Sequence, residues 1–274
     1  LCLAARFAIS PGTTHMDVIW MRSLQLPQFI FIKGLSVGKI MTQTTVKYED
    51  GPAYERGMGV WSQLAGEVFL EWLAPEPDLR WVDVACGTGA FTELIMQQCS
   101  PSEIQAIDPA EAQLTYARER SGASGANFVL GDAMALPLEN ERFDIAVMAL
   151  ALNLLPDPSK GISELVRVVR SGGIVSTYIW DLPGGGFPYE PILTEMNKIG
   201  MTPPRPPRGN TTNMVALMKF WENAGLEAIQ TREIKVCRDF KDFNDFFFFN
   251  FLLSFDWFFY FLIRYELNKT INMV

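Results

Sequence analysis

Apolar and polar residues follow one repeating scheme from residue 54 to residue 236. Residues 54–73 set Trp61, Leu64, Val68 and Leu73 at the spacing of one helix face, and Pro75 and Pro77 close the run. A short apolar run at 81–85 reads as a buried strand, and 90–98 returns to helical spacing. The alternation continues with strand 104–107, helix 110–120, strand 127–130 and the longer strand 143–150, FDIAVMAL. Residues 159–169 turn Ile162, Leu165, Val166 and Val169 to one side of a helix, which the triplet Ser171, Gly172, Gly173 stops. Strand 174–179, helix 214–224 capped by Gly225, and strand 226–236 complete the series. Apolar strands alternating with helices specify an α/β fold: a doubly wound, mostly parallel Rossmann-like sheet with helices on both faces. Such sheets bind ligands outside the carboxyl ends of their strands, near the point where strand order reverses. The strand-to-helix turns are therefore the places to look for chemistry.

The two ends break the scheme. Residues 1–40 show neither period and lack the order of a secretory signal. Met41 opens MTQTTVKYEDG, an ordinary polar amino terminus, so 1–40 is expected to be a non-native extension and 41–242 the domain. Residues 243–274 hold half of the 20 phenylalanines. This stretch approaches the length of a membrane span, but Asp245 and Asp256 interrupt it, each costing roughly 2.5–3.5 kcal/mol near a bilayer centre. A sequence artefact, an aromatic core helix and membrane contact over 243–265 all remain open.

Composition narrows the chemistry. The 274 residues suffice for one large domain, and a net charge of −8 argues against nucleic acid as a partner. RPPR, residues 205–208, is the only dense basic cluster, and it reads as a solvated loop. Cys2, Cys86, Cys99 and Cys237 have no metal-site or redox spacing, which fits a reducing cytoplasm. With His15 as the only histidine, a histidine-based triad or histidine-rich metal site is excluded, and no metal is expected.

Three turns carry the remaining signal. In DVACGTGAF, Gly87 and Gly89 suit a tight turn that brings backbone N–H groups and a helix N-terminus to one point. Asp83 adds a carboxylate there, which an ammonium or sulfonium would welcome and a phosphate would not. In AIDPAEAQL, Asp108 ends the second strand about twenty residues beyond Gly87, where it can accept both ribose hydroxyls of an adenosine or simply cap the next helix. In LGDAMALPLENERFDIAV, Asp132 follows the third strand, placed either to accept the adenine amino group beside the Ala133 N–H or to serve as a turn aspartate.

Together these segments resemble class I S-adenosylmethionine-dependent methyltransferases, especially the small-molecule group that contains the ubiquinone and menaquinone C-methyltransferases. VDVACGTG resembles the family's first motif, AIDPAEAQLTYAR its ribose segment, GDAMALPLENERFDIAV its adenine segment, ELVRVVRSGGIV its late helix–turn–strand, and YERGMGVWS its lid helix. The resemblance covers residues 48–236. It implies S-adenosyl-L-methionine as cofactor and S-adenosyl-L-homocysteine as product. It places Gly87 and Gly89 at the methionine part, Asp108 at the ribose, and Asp132 and Ala133 at the adenine, with Asp83, Ala85, Thr88, Pro109 and Gln113 as further cofactor-binding candidates. Ala149 and Leu150 would lie beside the sulfonium, with Tyr54, Arg56 and Trp61 in the lid. The family's antiparallel C-terminal edge strand has no good counterpart after Phe243, so that strand is expected to be missing.

Transfer from a sulfonium needs alignment more than acid–base help. Should the acceptor need a base, Asn153, Tyr178 and Asp181 stand near strand ends. The segment after 150, LALNLLPDP, lacks the motif of enzymes that methylate nucleobase amines, which favours a small-molecule acceptor. The proline- and glycine-rich residues 181–211 form an insertion expected to cover that acceptor. Two other readings stay open: a methyltransferase-shaped binding protein without turnover, and a nicotinamide-dependent oxidoreductase. The latter is weakened by Thr92 standing where the dinucleotide fingerprint has its third glycine.

Overall fold

A computed structural model describes residues 2–7, 55–198 and 205–239. Tyr54 and residues 243–274 lie outside them, so the lid role of Tyr54 and the nature of the aromatic segment are not addressed by the structure.

After β1 (Cys2–Phe7), the described chain resumes with a π-helical turn, Glu55–Gly59, that runs into α1 (Val60–Leu73). There follow β2 (Arg80–Val84), α2 (Ala90–Cys99), β3 (Glu103–Asp108), α3 (Glu111–Arg118), β4 (Asn127–Leu130) and β5 (Phe143–Ala149). Next come α4 (Pro158–Val168), β6 (Val169–Trp180), α5 (Glu190–Lys198), α6 (Met214–Asn223) and β7 (Thr231–Val236). The strands form one sheet in the order β4-β3-β2-β5-β6-β1-β7, and every pairing is parallel.

Alternation along each strand divides the core between the two faces. Val82, Ala146 and Met148 pack with Ile162 and Leu165 of α4 and Leu217 and Trp221 of α6. Trp81, Ile145 and Val147 pack on the other face with Trp61 and Phe69 of α1 and Phe91 and Ile95 of α2. Strand order reverses between β2 and β5, so the crevice lies beyond Val84 and Ala149.

Two expectations need correction. The Ser171–Gly173 triplet does not break the chain: β6 begins at Val169 and runs through it, with a register shift opposite Phe143 and Ile145. Gly173 is there for space, since a Cβ would stand 2.6 Å from the Asp144 carbonyl. Residues 226–230 are not strand, and β7 starts only at Thr231. Residues 2–7, within the amino-terminal stretch that shows no clear period, form β1, which pairs in parallel with both β6 and β7; any strand after residue 239 lies outside the described residues. Six residues are too few to show a period, and ladder pairing asks only for backbone. Among the described residues, no helix is long and apolar enough to cross a membrane.

Candidate functional site

The turn after β2 is fixed by its neighbours. The Cys86 N–H donates to the Ile107 carbonyl at 3.0 Å, and the Gly87 N–H donates to Asp108 Oδ2 at 2.9 Å. Gly87 and Gly89 both have positive φ, 55° and 74°, but their duties differ. A Cβ on Gly87 would meet nothing within 4 Å, so this glycine opens onto the crevice. A Cβ on Gly89 would lie 3.0 Å from Ala117 and 3.2 Å from Phe128. Gly89 thus serves the packing of α2 against α3 and β4.

Asp108 joins the three turns. Its Oδ2 holds the first turn, its Oδ1 accepts the Ala110 N–H at 2.9 Å, and its carbonyl accepts the Gly131 N–H of the third turn at 3.1 Å. Burial raises its pKa, against the pull of those two N–H donors on the carboxylate. Asp108 thus braces both the first turn and the start of α3, with a separate carboxylate oxygen for each. Pro109 next to it is exposed, whereas Gln113 is buried in the first turn of α3.

Asp83 is fully buried beneath α2. Its Oδ2 accepts the Thr92 hydroxyl at 2.6 Å, while Oδ1 has no hydrogen-bond partner. Burial pushes its pKa up to about 7, against the effect of Thr92 and with a smaller upward push from Asp108. Thr92 therefore spends its hydroxyl inside the protein, at the position where a dinucleotide fingerprint would carry glycine.

The third turn is an aspartate turn in which Asp132 Oδ1 accepts the Met134 N–H at 2.8 Å, with Ala133 buried and Asp132 itself exposed. Its far side is held by Glu164 and Arg167. Glu164 accepts the Leu136 N–H at 2.7 Å, and Arg167 donates to the carbonyls of Leu136 and Leu138 at 3.0 and 2.8 Å. Across the crevice, β5 ends at Ala149, opposite Tyr178 in register. Ala85 and Leu150 follow directly on β2 and β5 with φ of 60° and 57°, an unusual left-handed backbone for side-chain-bearing residues. The Leu150 N–H is held by the Tyr178 carbonyl at 2.8 Å.

The residues considered as bases are engaged in structure. Tyr178 is 0 % exposed, with ring centroids 4.9 Å from Phe69 and 5.3 Å from Phe91, which places it in the core and not in the crevice. Asp181 caps its own turn by accepting the Gly184 N–H at 3.0 Å. Asn153 is buried and donates to the Pro207 carbonyl at 3.1 Å, so it pins the end of the insertion. Trp61 is likewise buried, in the core against α1 and α2. Arg56 lies in the π-helical turn, Glu55–Gly59.

Residues of the insertion form an open cleft of about 440 Å³ lined by Leu182, Pro183, Phe187, Arg205, Pro206, Gly209 and Asn210. RPPR is not a free basic patch. Arg205 makes a two-pronged pair with Glu190, both contacts 2.9 Å, and Arg208 reaches the Asn153 carbonyl at 3.4 Å.

Sequence reasoning passed over three charged residues around the first turn, Glu55, Glu93 and Arg120. Thr88 donates its hydroxyl to Glu55 at 2.9 Å, and Arg120 contacts Glu55, Glu93 and the Thr88 carbonyl. Nothing in local spacing announces contacts between residues 27 or more positions apart. Around the third turn, the pairing of Glu164 with Arg167, three residues on along α4, is the one signal that was available.

Comparison with known proteins agrees with this geometry. Residues 82–177 match a family model described as a methyltransferase domain, and they span the strand ends just described. This segment is therefore similar to that methyltransferase domain. The chain is 40% identical over 96 residues to 2-methyl-6-phytyl-1,4-hydroquinone methyltransferase 2, chloroplastic, of Oryza sativa subsp. japonica, a match covering 35% of this chain and 28% of the relative. It is 37% identical over 138 residues to malonyl-[acyl-carrier protein] O-methyltransferase of Methylococcus capsulatus, covering 50% and 48%. It is 31% identical over 111 residues to a ubiquinone/menaquinone biosynthesis C-methyltransferase of Roseobacter denitrificans, covering 39% and 44%. The chain thus spans less than half the length of each of these relatives.

Proposed function

We propose that this chain transfers a methyl group from S-adenosylmethionine to a small, largely apolar acceptor. The observation that carries the reading is the convergence of three strand-end turns on Asp108, with the carboxyl groups of Asp83, Asp108 and Glu55 close to the first turn and the Arg120 guanidinium there already paired with Glu55 and Glu93. That balance suits a nucleoside bearing positive charge and opposes a diphosphate. The residues fit the cofactor in other ways. Gly87 leaves open the space a ligand would approach, and the unpartnered Asp83 Oδ1 marks a buried acceptor close to the turn.

The cofactor supplies a methyl group already activated on sulfur, and the chain's task is binding and alignment. Asp108 would hold the ribose, Asp132 and Ala133 the adenine, and the backbone at Ala149 and Leu150 the reacting end. The acceptor would enter the cleft between Leu182, Phe187 and Pro206, whose wall Asn153 holds in place. The named relatives act on a hydroquinone and on an acyl-carrier-protein malonyl group. A hydroquinone ring matches the apolar lining better than a charged acyl group does.

Calorimetry with S-adenosylhomocysteine and with a nicotinamide dinucleotide tests the cofactor. Transfer of labelled methyl to a panel of hydroquinones and carboxylates tests the acceptor. Binding of the first ligand and not the second is expected, and no binding of either would end the proposal. Deleting residues 184–208 is expected to abolish transfer while sparing cofactor binding. Tight binding with no turnover on any acceptor would indicate a binding module.

A further inference from the structure

We infer that Arg120 is a positioning residue of the cofactor site: it locks the segment that carries Glu55 onto the Thr88 peptide and so sets how long a bound cofactor stays. The inference rests on the cofactor reading above.

Thr88 stands between Gly87 and Gly89, and both of its polar groups are held. Its carbonyl accepts from Arg120 Nε at 2.6 Å, and its hydroxyl donates to Glu55 Oε2 at 2.9 Å. The two terminal nitrogens of Arg120 then reach Glu55 and Glu93, each at 2.5 Å. One planar guanidinium thereby joins the segment before α1, the glycine turn and α2. A lysine ammonium lacks the fork needed to hold all three.

The network is poorly hydrated, since the Arg120 side chain is only 11% exposed and those of Glu55 and Glu93 are 19% and 18% exposed. Its hydrogen bonds are therefore stronger than they would be in water. Its surroundings are shaped for it. The Arg120 guanidinium lies 5.7 Å from the Tyr116 ring centroid, and a Cβ on Gly122 would come within 2.2 Å of Glu93 Oε1. Two carboxylates around one guanidinium leave a net negative charge beside the turn, which favours a cationic ligand. Fixing the Thr88 peptide also fixes the direction of the adjoining N–H groups. Holding Glu55 there keeps the 55–59 turn against the glycine turn, where the Arg120–Glu55 contact would slow the release of a bound ligand.

The test uses the full 274-residue chain and S-adenosylhomocysteine. Arg120→Met is expected to raise its dissociation rate and its Kd by about tenfold or more, the loss of at least one charge-assisted hydrogen bond. Arg120→Lys should recover part of the loss. Glu55→Gln should weaken binding less, and adding it to Arg120→Met should change little, because the two act as one contact. In turnover, the cofactor KM should rise while kcat at saturating cofactor holds. If the parent chain binds S-adenosylhomocysteine and Arg120→Met releases it at the parental rate, the inference is overturned and the cofactor reading survives. A lowered Tm with an unchanged release rate overturns it in the same way, since Arg120 would then serve the fold alone. If the parent chain itself does not bind, both fall together.

Discussion

The Asp108 carboxylate accepts the Gly87 N–H at 2.9 Å, across 21 residues of sequence. The side chain proposed to hold the ribose is therefore also the brace of the turn proposed to approach the methionine end. Removing it acts twice. Asp108→Ala should cost at least about 1.5 kcal/mol of S-adenosylhomocysteine affinity and, in the free protein, about 1 kcal/mol of stability. Calorimetry and urea unfolding separate the two. Equal affinities in parent and variant would take Asp108 out of the site.

The two glycines of the first turn should fail differently. Both sit at positive φ, where an alanine costs roughly 1–2 kcal/mol. Gly87→Ala adds no clash, so its stability loss should stay near that figure while cofactor affinity falls sharply. Gly89→Ala also presses on Ala117 and Phe128, and its loss of stability should be the larger, about 2–3 kcal/mol. Paired unfolding and binding measurements on both variants check this. A Gly87 variant that binds as the parent does would show that no ligand approaches that face.

The central strands and helices were legible because strands buried on both faces and helices with one apolar face leave clear local patterns. The elements at 90–99, 127–130 and 214–223 lie within a residue or so of where the spacing puts them. The three turns were legible for the same reason: each is a local motif at a strand end. What was hidden depends on tertiary contact. The burial of Trp61 and Tyr178 in the packing of α1 and α2 on the sheet is one such contact. Arg120 looks like one more charge at a helix end until the fold brings Glu55, Thr88 and Glu93 around it. Gly172 and Gly173 read as a stop because a glycine pair usually is one; in the strand Gly172 takes a positive φ of 76° and Gly173 leaves room beside the Asp144 carbonyl.

At the opposite end of the sheet, Asp144 ties β2 to β6. Its Oδ2 accepts the Arg80 N–H at 2.8 Å and Arg80 Nε at 3.1 Å, and its Oδ1 accepts Arg170 Nε at 2.5 Å. The Arg80 hydrogen bond, followed by that of Arg170, holds the carboxyl far below the usual carboxylate range. This stabilisation is present above pH 3.8 and is lost as pH falls toward the lowered folded pKa. Asp144→Asn should cost about 2 kcal/mol at pH 7, a modest figure because both arginines are nearly half exposed. The gap to the parent should narrow below about pH 4. Denaturant titrations at pH 7 and pH 3 measure it, and a gap that does not change with pH would mean that charge is not what Asp144 contributes.

Asp83 should behave in the opposite sense. Its carboxyl is fully buried, with Thr92 as the partner of one oxygen, and burial raises its pKa from 3.8 to about 7. Between those values the folded chain keeps a proton that the unfolded chain has released. The stability this confers is complete below pH 3.8, declines as pH rises, and is gone above about pH 7. Asp83→Asn keeps the shape and a hydrogen-bonding group for Thr92 but cannot ionise. Relative to the parent, the variant should therefore gain stability steadily as pH rises through this window and level off above it. Subtracting the two unfolding curves cancels groups that titrate alike in both proteins. A cationic ligand reverses the preference, because it favours the ionised carboxylate. Saturating S-adenosylmethionine should thus lower the parent's transition below pH 7 and flatten the difference curve. A difference that is level from pH 4 to 8 without ligand would show that Asp83 does not hold a proton in the folded core.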